Sequence, residues 1–236
     1  RKGGSGALSS WSSTELKQAK WVARRMLSAR AKEVPISIFT LVDLKYDDGG
    51  TNWKGLIHVD TKTMTMGKPK QAFYAYQNIT SVFDGNVEII SGYKYKTNYT
   101  KSLHFTAYEN KNTKKQILAF WDSSGAPTDE ISTSPVEIRV ENGNFDEPVY
   151  IDVRTGIVYA MTNWEKEGGA YTFYDVPVYD APVVIADRSA VVFDSAETTI
   201  SEIKIYNGEE VLEETLVGVE AVTAKVTVST GTGQSL

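Results

Sequence analysis

Val34-Pro35-Ile36-Ser37-Ile38-Phe39-Thr40-Leu41-Val42-Asp43-Leu44 decides how the first third of this chain is read. In an extended backbone Ile36, Ile38 and Val42 share one side, and Phe39 and Leu41 take the other. A strand that is apolar on both faces marks a parallel sheet covered by helices. The polar run Asp43-Leu44-Lys45-Tyr46-Asp47-Asp48-Gly49-Gly50 follows at its C-terminal end. In parallel α/β folds, that end is where ligands are met.

Helices are expected on both sides of this strand. Ser12-Ser13-Thr14-Glu15 matches a capping box, with Trp11 and Leu16 at the staple positions. A helix then runs from about Ser13 to Lys32. Leu16, Ala19, Ala23, Met26 and Leu27 form its apolar stripe, and Lys17, Lys20, Arg24 and Arg25 decorate much of the rest. Thr51 to Lys68 reads as a loop or short excursion. Lys68-Pro69-Lys70 opens a second helix, with Pro69 suited to the first turn. Phe73, Tyr76, Thr80 and Phe83 give it a buried stripe, and Asp84-Gly85-Asn86 stops it. This order gives residues 12–84 the look of the last turns of a parallel α/β barrel. A complete barrel takes roughly 250 residues. The remainder is therefore expected from another chain or from the upstream part of a longer protein.

Composition narrows the function classes. The chain has 236 residues, 41% hydrophobic and 23% charged, which is ordinary for a soluble protein. Its formal net charge is -5 and its Lys and Arg are scattered, which argues against nucleic acid and anionic membranes. No apolar run approaches the roughly 20 residues of a membrane span. There is no cysteine, which removes disulfides and thiol chemistry. The two histidines, His58 and His104, are far apart, so no metal site and no cofactor are expected. The segment Arg1-Lys2-Gly3-Gly4-Ser5-Gly6 lacks an apolar signal core and reads as a loop, open to being the remnant of a cut chain.

Four stretches carry a resemblance. They are Glu15 to Arg25, Ile36 to Asp43, Asn52-Trp53-Lys54-Gly55-Leu56-Ile57, and Lys68-Pro69-Lys70-Gln71-Ala72-Phe73-Tyr74-Ala75-Tyr76-Gln77-Asn78. Together they resemble the closing part of the (β/α)₈-barrel glycoside hydrolases of the cellulase-like superfamily. Lys115 to Trp121 and Val176 to Ala186 resemble the β-sandwich that often follows such barrels. The resemblance implies retaining chemistry on two carboxylates roughly 5 Å apart. Both would lie upstream of Arg1, so it supplies no catalytic residue here, and the chain alone is expected to be inactive. The implied partners are a carbohydrate substrate and the missing N-terminal barrel portion, and the implied location is extracellular or at the cell surface.

From residue 87 onward, short alternating runs separated by turns read as antiparallel strands of a sandwich. Asn110-Lys111-Asn112-Thr113 and Arg154-Thr155-Gly156 supply hairpin turns. Val222, Ala224, Val226 and Val228 alternate with Thr223, Lys225 and Thr227 in one further strand, and Ser229 to Leu236 reads as disordered. The expected fold class is thus α+β and multidomain. Residues 1–85 form the end of a (β/α)₈ barrel and 86–236 a β-sandwich, with 190–236 as an extension or a separate small module.

The candidate substrate-binding residues are Asp43, Lys45, Tyr46 and Trp53. Asp43, Lys45 and Tyr46 stand after the buried strand, and an indole offers a flat apolar face to a sugar ring. Asp47 and Asp48 sit in simple turn chemistry. The leading function is the C-terminal portion of a secreted glycoside hydrolase acting on O-glycosidic bonds. The alternative is a non-catalytic carbohydrate-binding or cell-surface structural protein.

Overall fold

The computed structural model describes residues 14–191, 198–207, 210–211 and 223–230. Contacts divide the chain into two units, residues 1–191 and 192–236.

The first unit opens with α1, Glu15–Arg30. Thr14 caps it, its hydroxyl accepting from the Lys17 amide at 3.1 Å. The expected staple and cap at Trp11 and Ser12 lie outside the described residues. Residues 31–43 then run without regular structure until a lone parallel bridge joins Val42 to Ile57. Two small antiparallel hairpins follow, β1 (Leu44–Lys45) with β2 (Thr51–Asn52), and β3 (Ile57–Asp60) with β4 (Thr65–Pro69). Helix α2, Gln71–Val82, packs against α1. The contact is close because Ala19, Ala72 and Ala75, all fully buried, offer little bulk between the axes.

The rest of the unit is two antiparallel sheets. Strands β5 (Val87–Ile89), β7 (Leu103–Asn110), β8 (Gln116–Asp122), β10 (Pro148–Asp152), β11 (Ile157–Ala160) and β14 (Val183–Asp187) form the larger, in the order β11-β10-β14-β8-β7-β5. Strands β6 (Tyr95–Thr97), β9 (Ser134–Val140), β12 (Trp164–Glu167) and β13 (Ala170–Val178) form the smaller, in the order β12-β13-β9-β6. Leu118, Phe120, Val183 and Ile185 from one sheet meet Ile138 and Phe173 from the other, with Phe145 from the connection after β9, in a single apolar core. Each large aliphatic or aromatic side chain buried there contributes roughly 1.5–3 kcal/mol.

Alternation puts Ile117, Ala119 and Trp121 on the opposite face of β8, yet they are buried too. That face is covered by the helices. The Phe83 and Tyr108 rings meet edge to face at 5.0 Å. The Arg24 guanidinium donates to the carbonyls of Asp122 at 2.5 Å, Gly125 at 2.7 Å and Asp180 at 2.9 Å. Lys20, 0% exposed, pairs with Asp180 at 2.5 Å and donates to the Glu130 carbonyl. The unit therefore has three layers: a helix pair, the six-stranded sheet and the four-stranded sheet.

The barrel expectation is overturned, both as fold class and as resemblance. A barrel end needs parallel strands alternating with helices, whereas the named strands here pair antiparallel and only two α-helices are present among the described residues. The run from Val34 is not a doubly buried strand. Pro35 lacks a backbone donor, and Val34, Phe39 and Leu41 are 55%, 65% and 58% exposed. Ile36, Ile38 and Val42 are no more than half-buried, and Ile38 packs onto Ala19, Leu56, Ala72 and Ala75. Lys20 and Arg24 are buried in the contact with the sheets rather than decorating a surface. On α2 the buried side is Ala72, Ala75, Ile79 and Val82, while Tyr76 and Thr80 face solvent and Pro69 ends β4.

The second unit contains β15 (Thr198–Asn207), β16 (Glu210–Val211) and β17 (Thr223–Thr230), paired antiparallel in the order β16-β15-β17. The alternating run from Val222 is thus a strand from Thr223, and it continues through Ser229 and Thr230. Residues 1–13 and 231–236 lie outside the described residues, together with the readings made on them.

Candidate functional site

The β1–β2 hairpin carries Lys45, Tyr46 and Trp53, and Asp43 lies directly beneath it. Asp43 is 2% exposed. Its Oδ1 accepts from the Gly55 amide at 3.0 Å and from Lys70 Nζ at 2.5 Å. Lys70, 1% exposed, also donates to the Trp53 carbonyl at 3.0 Å. One buried ammonium thus ties the start of α2 to both ends of the hairpin segment. Gly55 has to be glycine: a Cβ there would stand 2.2 Å from the Asp43 nitrogen and 2.4 Å from the Val42 carbonyl carbon.

Further charges extend the support. His58 Nδ1 lies 3.6 Å from Asp43 Oδ2, and its Nε2 lies 2.7 Å from Glu15 Oε1. Glu15 Oε2 also accepts from the Gln71 amide, at the start of α2, at 3.4 Å. Gln18 Nε2 donates to the Lys54 and Gly55 carbonyls, each at 3.0 Å. Asp43 Oδ2 is buried and has no hydrogen-bond partner. An acid so enclosed serves to hold structure.

The outer side of the hairpin is different. Tyr46 is 36% exposed, and its hydroxyl accepts from Asn52 Nδ2 at 3.2 Å. The Tyr46 amide donates to the Gly50 carbonyl at 2.9 Å, and the Gly50 amide to Asp48 Oδ1 at 2.8 Å. Gly49 takes φ +86°, a turn position that favours glycine. Lys45 Nζ donates to the Gly49 carbonyl, and Trp53 is half-buried. The four sequence-derived residues therefore fall on one short stretch. Tyr46 is exposed, Lys45 and Trp53 are half-buried, and Asp43 is the buried anchor.

Lys70, Gly55, His58, Glu15 and Gln18 were not legible as members of this site. They come from three separate stretches, and only the fold joins them. No group of three or more His, Cys, Asp or Glu side chains that could hold a metal exists among the described residues. No helix among them is long and apolar enough to cross a membrane.

Comparison with protein-family models and with curated proteins returns no match for this chain.

Proposed function

We propose that this chain is a non-catalytic carbohydrate-binding module that works outside the cell or at its surface. The observation that supports this reading is the division of labour at the hairpin. The carboxylate best placed for acid–base work, Asp43, is enclosed and held by Lys70 and Gly55. Beside it stand an exposed tyrosine braced by Asn52 and a half-buried lysine and tryptophan, groups that suit binding and carry no proton-transfer pair. Sugar rings offer apolar C–H faces for Tyr46 and Trp53 and hydroxyls for Lys45 and the turn carbonyls. A support made of buried bonds keeps these groups in place before a ligand arrives, which lowers the ordering cost of binding.

Affinity electrophoresis in gels containing soluble β-glucan, xylan or mannan tests this. Retardation in one of the gels, with no new reducing ends after prolonged incubation, is the expected result. Free migration in every gel, or release of reducing ends, overturns it.

A further inference from the structure

A cleft lies on the sandwich, built by residues distant in sequence from the β1–β2 hairpin. Its volume is about 380 Å³, and it opens between the turn at residues 90–94 and the turn after β9. That is the small end of the range for ligand sites. Tyr93 and Ile90 supply apolar wall, and Ser91, Glu109, Gln116 and Asn142 supply polar groups.

The polar floor is prefabricated. Gln116 is 7% exposed, and its Oε1 accepts from the Tyr93 hydroxyl at 2.6 Å and from the Asn144 amide at 3.2 Å. Its Nε2 donates to the Asn142 carbonyl at 2.9 Å. The Tyr93 ring lies nearly parallel to Phe105, 6.4 Å between centroids, within a series that continues through Phe120. Ring and hydroxyl are thus both fixed. Gly92 takes φ +67° with open space where a side chain would stand, which leaves the mouth clear.

We infer that this cleft is a second saccharide subsite, taking one pyranose ring against Tyr93. The chemistry favours a neutral polyol. The lining mixes amide donors, carbonyl acceptors, a hydroxyl and a carboxylate around an aromatic wall, and the one cation, Lys94, does not make a phosphate or carboxylate site. The floor groups Gln116, Tyr93 and the Asn142 carbonyl already pair with one another, so a ring bearing several hydroxyls meets Ser91, Glu109 and Lys94 at the rim while its apolar face lies on Tyr93. The assignment rests on the carbohydrate reading above but involves different residues, so the two can fail separately.

Amide-resolved NMR titration of the full chain with cellohexaose, xylohexaose and mannohexaose tests it. Expected are shifts at residues 91–94, 109, 116 and 142–144. Tyr93→Ala should weaken this response about tenfold, equivalent to about 1.4 kcal/mol. Ser91→Trp, which fills the mouth from an exposed position, should abolish it while the melting temperature is unchanged. Shifts confined to residues 44–53 would overturn the cleft and leave the module's function standing. Shifts in the cleft alone would support the cleft and remove the hairpin site. No shift with any of the three at about 10 mM, where even feeble binding registers, would overturn both. A cleft response that survives Ser91→Trp would also overturn the assignment.

Discussion

Lys70 Nζ lies 2.5 Å from Asp43 Oδ1, with both side chains out of contact with water. The pair joins the start of α2 to the stretch beneath the β1–β2 hairpin, so the hairpin's position depends on it. A buried ion pair gives little net stability relative to an apolar replacement, but breaking it by removing one partner is costly. Lys70→Met should destabilise the unit by about 3–5 kcal/mol, because Asp43 is left charged and enclosed. Asp43→Asn added to Lys70→Met should recover part of that loss, since the amide can still accept from Gly55. Denaturant melts of both variants check this, and a Lys70→Met protein as stable as wild type would remove the anchor role.

Gly55→Ala is the companion test on the backbone side. A methyl group there meets the Asp43 and Val42 main chain, which cannot move aside as a side chain can. The expected cost is about 1–3 kcal/mol, with altered amide resonances across residues 43–55. An unperturbed spectrum would show that the approach of the two chains is looser than described.

His104 makes stability depend on pH. Its ring stacks on Trp121 at 3.8 Å between centroids, and its Nε2 is buried without a hydrogen-bond partner. Burial, reinforced by the positive charges of Arg24 and Lys32, pushes the imidazole pKa below its ordinary value. The unfolded chain therefore takes up this proton first, and the stability linked to a neutral His104 is lost as pH falls below about 6.5. His104→Phe should flatten the stability profile between pH 7 and 5 and be neutral or mildly stabilising at pH 7. A slope unchanged from wild type would contradict the assignment. Further loss below about pH 4 should persist in the variant. At Asp180 burial pushes the carboxyl up, but the bonds from Lys20 and Thr128 outweigh it and hold it below the usual carboxylate range.

Arg24 and Lys20 join the helix layer to the sheets, so Arg24→Ala should loosen α1 before the sandwich. Hydrogen exchange should speed up across Glu15–Arg30 while β8 and β14 stay protected. Equal acceleration in all three would mean that the layers unfold only together.

Much of the sandwich was legible because its strands obey local rules. The turns at Asn110–Thr113 and Arg154–Gly156 join β7 to β8 and β10 to β11, and α1 follows its apolar stripe. The failures share a physical cause. Val34 to Leu44 is apolar enough for a buried strand, but hydropathy does not record whether a sheet exists to receive it. Lys20 and Arg24 look like surface residues until Asp180 and three carbonyls are brought beside them from about a hundred or more positions away. Their one local signal is spacing, since Lys20, Arg24 and Leu27 continue the buried side of the helix. Within the candidate site, Lys45, Tyr46 and Trp53 could be read from one stretch, whereas the buried cation that anchors it could not.

Titration calorimetry with the soluble polysaccharide that retards the chain most tests saccharide binding and the absence of turnover at once. Expected are saturable heats that return to baseline after each injection, and a roughly tenfold weaker isotherm for Trp53→Ala, or about 1.4 kcal/mol, at an unchanged melting temperature. Heat that continues after each injection, reporting turnover, or the absence of any binding isotherm would contradict the proposed function.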